Sequence, residues 1–324
     1  MGPDGNRTGG KNAAYPAGLR APGARNQRLR ALLAGQDLVV APGAFDCITA
    51  RLVSAAGFAA VYVTGSGLSM SALGAPDVGL MSFSEVIDRV KRIADIVDIP
   101  VIADADTGYG GPLNVIRTVR EFERAGVSAI QIEDQQWPKK CGHELGRMVV
   151  EPAEMVDRIK AATDARIDPD LVIVARTDAR TAEGIDSAVE RALGYQEAGA
   201  DVIFVESPES EEEMRLINES LSVPTLVNMV EGGRTPLLPT EALRELGYRI
   251  AIYPNSLTRI IGRMGQRLLE CLAQSGTTAG MAEAMMNHDE LWALFEYDKW
   301  VDTERRFSGL QVNQARSDRN EKRA

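Results

Sequence analysis

One pattern constrains this chain more than any other: a short apolar run, a polar turn and an amphipathic stretch recur in sequence. The runs read DLVVAPG, FAAVYVTG, IPVIADAD, VSAIQIED, LVIVARTD, ADVIFVES, VPTLVNM and RIAIYPN, eight in all. They are rich in Val and Ile and nearly continuous, as parallel strands covered on both faces must be. Helical periodicity fills the gaps, for example SEVIDRVKRIADIV from Ser84 and PLNVIRTVREFERAG from Pro112. In the second, Pro112 suits a helix start, Val115, Val119 and Phe122 share one face, and Gly126 ends it. Eight β/α units predict an α/β chain folded as a (β/α)₈ TIM-type barrel, with a doubly wound open sheet as the alternative. Helical stretches near 280–287 and 291–299 are left over after the eighth unit. They are expected to cap the barrel or reach another subunit. The first 27 residues read as a disordered Arg-containing tail, residues 28–307 as the catalytic barrel with its extra helices, and 308–324 as a polar tail.

Composition narrows the chemistry. Lys+Arg at 36 against Asp+Glu at 46 gives a net charge of -10, so the folded body has no basic balance for nucleic acid. No apolar run reaches the length of a membrane span. Three scattered cysteines, Cys47, Cys141 and Cys271, point to a reducing compartment and a cytoplasmic enzyme. With two histidines in the chain, a metal site has to be built from carboxylates, which favours magnesium or manganese.

The active site of such a barrel lies at the C-terminal strand ends, and here those ends are polar. The second run closes with Tyr62, Thr64, Gly65 and Ser66, the third with Asp104 and Asp106, the fourth with Glu133 and Asp134. Arg176 and Asp178 follow the fifth, Glu206 the sixth, Asn228 the seventh, and Tyr253 and Asn255 the eighth. Clustered carboxylates repel and resist ionisation unless a cation intervenes. If the chain stays extended, Asp104 and Asp106 project to one face beside Glu133. Salt bridges from Arg176 or Lys139 would serve instead of a metal. Thr64–Gly67 reads as a Gly-rich turn, either plain punctuation or an anion cradle. An arginine at the end of a buried strand needs a protein or substrate carboxylate. The connection 135–150 is the longest between a strand and its helix and suggests a lid. It carries Lys139, Lys140, Cys141, Gly142 and His143. Cys141 is in electropositive company that favours a reactive thiol, whereas Cys47 and Cys271, on helical stretches, read as inert core residues.

DADTGYGG, IEDQ, KKCGH, ARTDA and NMVEGGRTP together resemble the isocitrate lyase/phosphoenolpyruvate mutase superfamily, and the likeness runs from about Arg28 to Phe307. It is similar above all to the short members: 2-methylisocitrate lyases, dimethylmalate lyases and carboxyphosphonoenolpyruvate phosphonomutases. The resemblance implies a barrel whose terminal helices swap between subunits, in a homotetramer or a helix-swapped dimer. It implies Mg2+ (or Mn2+) on Asp104, with Asp106 and Glu133 acting through water and Asp77 on the metal side. It implies a small carboxylate substrate held by Thr64, Gly65, Ser66, Gly142, Arg176, Glu206, Asn228 and Arg259. Tyr62 would take the hydroxyl proton, and Cys141 would donate one, flanked by Lys139 and His143. The implied reaction is carbon–carbon cleavage of a 2-hydroxy di- or tricarboxylate to pyruvate and a second acid. The rivals are a phosphonomutase or an oxaloacetate-cleaving enzyme on the same scaffold, a silent scaffold barrel, and a nucleic-acid binder using the amino tail. YPNS, where YPLS is the familiar form, puts Asn255 at a position that is usually apolar.

Overall fold

The structure, a computed structural model, describes residues 15–16, 24–140, 142 and 146–308. Its eight strands close into a barrel in sequence order, each parallel to the next and β1 to β8, which excludes the open sheet. They are β1 (Val39–Ala44), β2 (Val61–Val63), β3 (Val101–Asp104), β4 (Ala129–Glu133), β5 (Val172–Thr177), β6 (Val202–Val205), β7 (Thr225–Asn228) and β8 (Ile250–Tyr253). The helix α1 (Arg25–Ala34) precedes them and seals the lower end, with Leu29 and Leu33 joined to the barrel interior. It begins three residues before the expected boundary at 28. Buried Arg25 fixes it by donating to the carbonyls of Ala94 (2.6 Å) and Val97 (3.0 Å).

Strand side chains alternate between two cores. One set, including Val172, Val174, Val202, Phe204, Leu226, Ile250 and Ile252, fills the interior. The other, including Val101, Ala103, Ile130, Ile173 and Ile203, packs outward against the helices. After β1 comes α2 (Cys47–Ala55), and after β2 come α3 (Gly65–Leu73) and α4 (Phe83–Asp95). Ser82 caps α4 in a reciprocal box with Glu85. The helix α5 (Pro112–Arg124) starts on Pro112 as expected, buries Val115, Val119 and Phe122, and stops before Gly126 at φ 87°. The rest are α6 (Pro152–Ala165), α7 (Ala179–Glu183), α8 (Ile185–Glu197), α9 (Glu211–Ser220), α10 (Thr240–Glu245) and α11 (Ser256–Ser275).

The leftover segments form a 3₁₀ turn (Ala279–Ala284), then α12 (His288–Leu294) and α13 (Tyr297–Ser308). None of the residues of α11, α12 or α13 is buried. Leu294 and Phe295 are half-buried, and Arg51 of α2 reaches this corner, donating to the Leu294 carbonyl (3.0 Å) with its guanidinium over the Phe295 ring. Leu291, Leu269 and Trp300 face outward. Cys47 and Cys271 are half-buried rather than core: each sits on a helix face only partly covered by its neighbours. Burial first, then the nearby Asp46 charge, pushes the Cys47 thiol pKa up. Cys141 and His143 lie outside the described residues.

Candidate active site

The inward alternation that fills the barrel does not stop where the apolar residues do. Val172 and Val174 lead to Arg176, Val202 and Phe204 to Glu206, Leu226 to Asn228, Ile102 to Asp104, and Ala129 through Gln131 to Glu133. Each strand therefore carries its packing residues and then its functional one on the same side. Tyr62, Thr64, Ser66, Asp77, Asp104, Gly142, Arg176, Glu206, Asn228 and Asn255 line one cavity at this end, with Ile252 and Pro254 as its apolar wall. A second small cavity shares Asp77 and Asp104 and adds Gly65, Asp106 and Tyr109.

Two expectations about local geometry change. Asp106 is not on an extended strand: β3 ends at Asp104, Asp106 sits at φ 49°, and its amide donates back to Asp104 Oδ1 (3.0 Å). The two carboxylates come together through this curl rather than through period two. Thr64–Gly67 is not a free turn but the first turn of α3, with Thr64 as N-cap receiving the Gly67 amide. The start of that helix carries partial positive charge toward the cavity.

The carboxylates are answered by buried cations of the protein. Lys139 Nζ lies between Asp77 (2.6 Å) and Asp106, joining the β4–α6 connection to the acidic side of the cavity. Arg176 forks onto Asp178, donating from Nε and NH2 at 2.9 Å each, and approaches Glu133 (3.4 Å) and Glu206 (3.3 Å). Gly142 lies against this pair: a Cβ there would come within 2.7 Å of Glu206 Oε2 and closer still to the Arg176 guanidinium. Its carbonyl accepts from Ser207 Oγ (3.2 Å). Tyr62 donates to Gln131 Oε1 (3.0 Å), and burial, followed by the Asp104 charge, raises its pKa well above the ordinary phenol value. Arg259, on the first turn of α11, is set apart from these groups; it is half-exposed and 4.0 Å from Glu231.

The fit to a divalent ion can be tested here. Asp104 Oδ2 stands over Gly65, where a Cβ would intrude to 2.9 Å. Burial first, and Asp106 second, push the Asp104 carboxyl up to about 6, so an added positive charge would relieve it. Glu133 Oε1 is buried with no hydrogen-bond partner. Among the described residues no three acidic, histidine or cysteine side chains converge as a complete ligand set. The donors thus suit a hard ion that takes one or two carboxylates and keeps its waters.

A profile of the phosphoenolpyruvate phosphomutase family matches residues 29–272. The chain belongs to the phosphoenolpyruvate mutase/isocitrate lyase superfamily. It is 51% identical over 281 residues to a 2,3-dimethylmalate lyase of Eubacterium barkeri, covering 87% of this chain and 97% of that one. A 2-methylisocitrate lyase of Halalkalibacterium halodurans is 43% identical over 271 residues, covering 84% and 89%. Among solved structures, an oxaloacetate acetylhydrolase in complex with 3,3-difluorooxalacetate superposes with a TM-score of 0.84 at 32% identity, covering 92% of this chain and all of that one.

Of the polar residues lining the two cavities, Ser69 and Tyr109 were not singled out in the sequence, nor were Gln131 and Arg147 behind them. Gln131 was accessible from the inward series of β4. Arg147 lies in an irregular connection that offers no period to read.

Proposed function

We propose that this protein is a magnesium-dependent lyase that cleaves a carbon–carbon bond in a 2-hydroxy di- or tricarboxylate, releasing pyruvate and a second carboxylic acid. The observation that carries the reading is that Asp104 and Arg176, from opposite sides of β4, open on one cavity. That arrangement suits a substrate with a carboxylate and an adjacent oxygen. Asp104 is the direct ligand in this proposal, with Asp106, Glu133 and Asp77 acting through water. The ion, when bound, supplies positive charge that lowers the pKa of the substrate hydroxyl.

The chain's own groups do the rest. Arg176 offers a fork to the substrate carboxylate, and the amides of Gly65 and Ser66 at the α3 start support it. Asn228 donates to Glu206 (3.1 Å), and together they bound the far side. Tyr62 now holds its proton; as proton acceptor it requires the field of Asp104 to be offset. Lys139 fixes Asp77 and Asp106, Gly142 covers the Arg176–Glu206 pair, and Arg259 waits at the edge for a second carboxylate. Cys141, two positions before His143 in the sequence, returns a proton to the carbon left by cleavage. The terminal helices swap between subunits in a tetramer or dimer, in the cytoplasm.

The likeness to oxaloacetate acetylhydrolase over its whole length supports a second reading, cleavage of oxaloacetate. A panel of 2-hydroxy acids and oxaloacetate with Mg2+ separates them. Pyruvate release, coupled to lactate dehydrogenase, is the expected outcome; oxalate formation from oxaloacetate alone would replace the lyase reading by the second.

A further inference from the structure

Behind Arg176, on the side away from the cavity, stands a second arginine. Arg147, in the connection between β4 and α6, is 5% exposed and lies within a folded strip of that connection. The strip is tied to the strand end: Gln135 bridges Val149, Gln136 N donates to the Met148 carbonyl (2.7 Å), and Val150 N to the Asp134 carbonyl (2.8 Å). Arg147 NH1 donates to Asp178 Oδ1, and NH2 to Thr181 Oγ1 (2.6 Å). Asp178 is fully buried and is the same carboxylate onto which Arg176 forks. Oδ1 of Asp178 is thus shared by the two guanidinium groups.

The charges explain why a second cation is placed there. Arg176 faces Glu133, Asp178 and Glu206. Burial raises the Glu133 pKa well above the ordinary value, which still leaves Asp178 and Glu206 facing one guanidinium, and a buried guanidinium so surrounded has little charge to offer an incoming anion. Arg147 takes up part of Asp178's negative charge while Asp178 still aims the Nε edge of Arg176. The NH1 edge is the one that stays directed away from Asp178.

We propose that Arg147 is a positioning residue for the reaction: through Asp178 it orients Arg176 and keeps its charge available to the substrate carboxylate. The inference rests on the proposed role of Arg176 as the carboxylate clamp. Arg147 itself touches neither the substrate cavity nor the reacting atoms.

The test is oxalate binding by calorimetry in the presence of Mg2+, beside steady-state kinetics on the substrate that the panel identifies. Arg147→Met should weaken oxalate roughly ten-fold or more and raise KM by a similar factor, with kcat changed much less. Arg147→Lys, which keeps the charge, should recover most of that affinity. Thr181→Val removes the other partner of Arg147 and should lower thermal stability without moving oxalate affinity. Where Arg147→Met fails to fold, Arg147→Gln gives the same reading with a hydrogen-bond donor in place of the charge. Unchanged oxalate affinity in a folded Arg147→Met or Arg147→Gln variant would overturn the inference, as would an Arg147→Lys variant no better than the methionine one. Arg176→Gln separates the two levels. If it leaves oxalate binding intact, the clamp reading fails; if it abolishes binding while Arg147→Met does not, the positioning role alone fails.

Discussion

Gly65 and Gly142 set tolerances at the site that any side chain would exceed. A Cβ on Gly65 would press against Asp104 Oδ2 at 2.9 Å, so Gly65→Ala should cost affinity for the ion before it costs folding. Manganese titration followed by electron paramagnetic resonance should show a loss of about ten-fold or more, the scale of a disturbed ligand environment; unaltered affinity would remove Asp104 as the direct ligand. Chelation should abolish turnover, and Mg2+ or Mn2+ should restore it. The thiols make a further test at this scale. Cys141→Ser should lower kcat by roughly 10²-fold, the value of a lost general acid, while Cys47→Ser and Cys271→Ser leave it nearly unchanged. Wild-type turnover in Cys141→Ser would move the reaction toward the mutase or oxaloacetate chemistry.

Elements explain what could be read in the sequence and what could not. Asp104, Arg176, Glu206 and Asn228 were legible because each falls at the C-terminal end of an apolar run, where a barrel of this type carries its site. Asp106 was misplaced because the period ends at Asp104, and a left-handed residue cannot be inferred from DADTG alone. The start of α3 looks like a turn in sequence because glycine after a strand is common punctuation. The Arg147–Asp178–Arg176 chain joins groups from a loop and a strand, and no local pattern announces it. Helix ends allow their own tests. Ser82→Ala should remove the α4 cap and lower stability by about 1 kcal/mol in chemical denaturation. At α7, burial alone would raise the Glu183 carboxyl, but hydrogen bonds from Ser187 and Arg191 outweigh it and hold its pKa below the ordinary value. A depressed pKa contributes stability above the unfolded-state value near 4.3 and loses it as pH falls through the folded-state value. Glu183→Gln should therefore lower Tm by no more than about 2 °C at pH 7. The difference should shrink toward zero below pH 4, and a constant difference across pH would mean packing, not charge, is responsible.

For the whole molecule, the unburied terminal helices matter most. Leu291, Trp292, Trp300 and Phe307 on α12 and α13 are exposed large apolar side chains, the kind of face that a second chain covers. Light scattering at micromolar concentration should give a multiple of the single-chain mass, and Leu291→Asp should shift it toward one chain. A stable monomer would refute the swapped assembly. The barrel itself was the easiest part to foresee, because eight doubly buried strands in series leave few other ways to cover both faces.

The single layer that ends the inward series also separates inheritance of fold from invention of chemistry. Thr64, Asp104, Arg176, Glu206, Asn228 and Pro254 each stand one step above residues that fill the interior, while Glu133 stands above polar Gln131 and β1 offers only Gly43, against which Pro254 leans. Except at Glu133, replacing one of these rim residues leaves the packing beneath it untouched, because its apolar neighbour two positions back is already in place. The barrel behaves as a socket: new reactions can be tried a position at a time, and the strand below never has to be rebuilt to accept them.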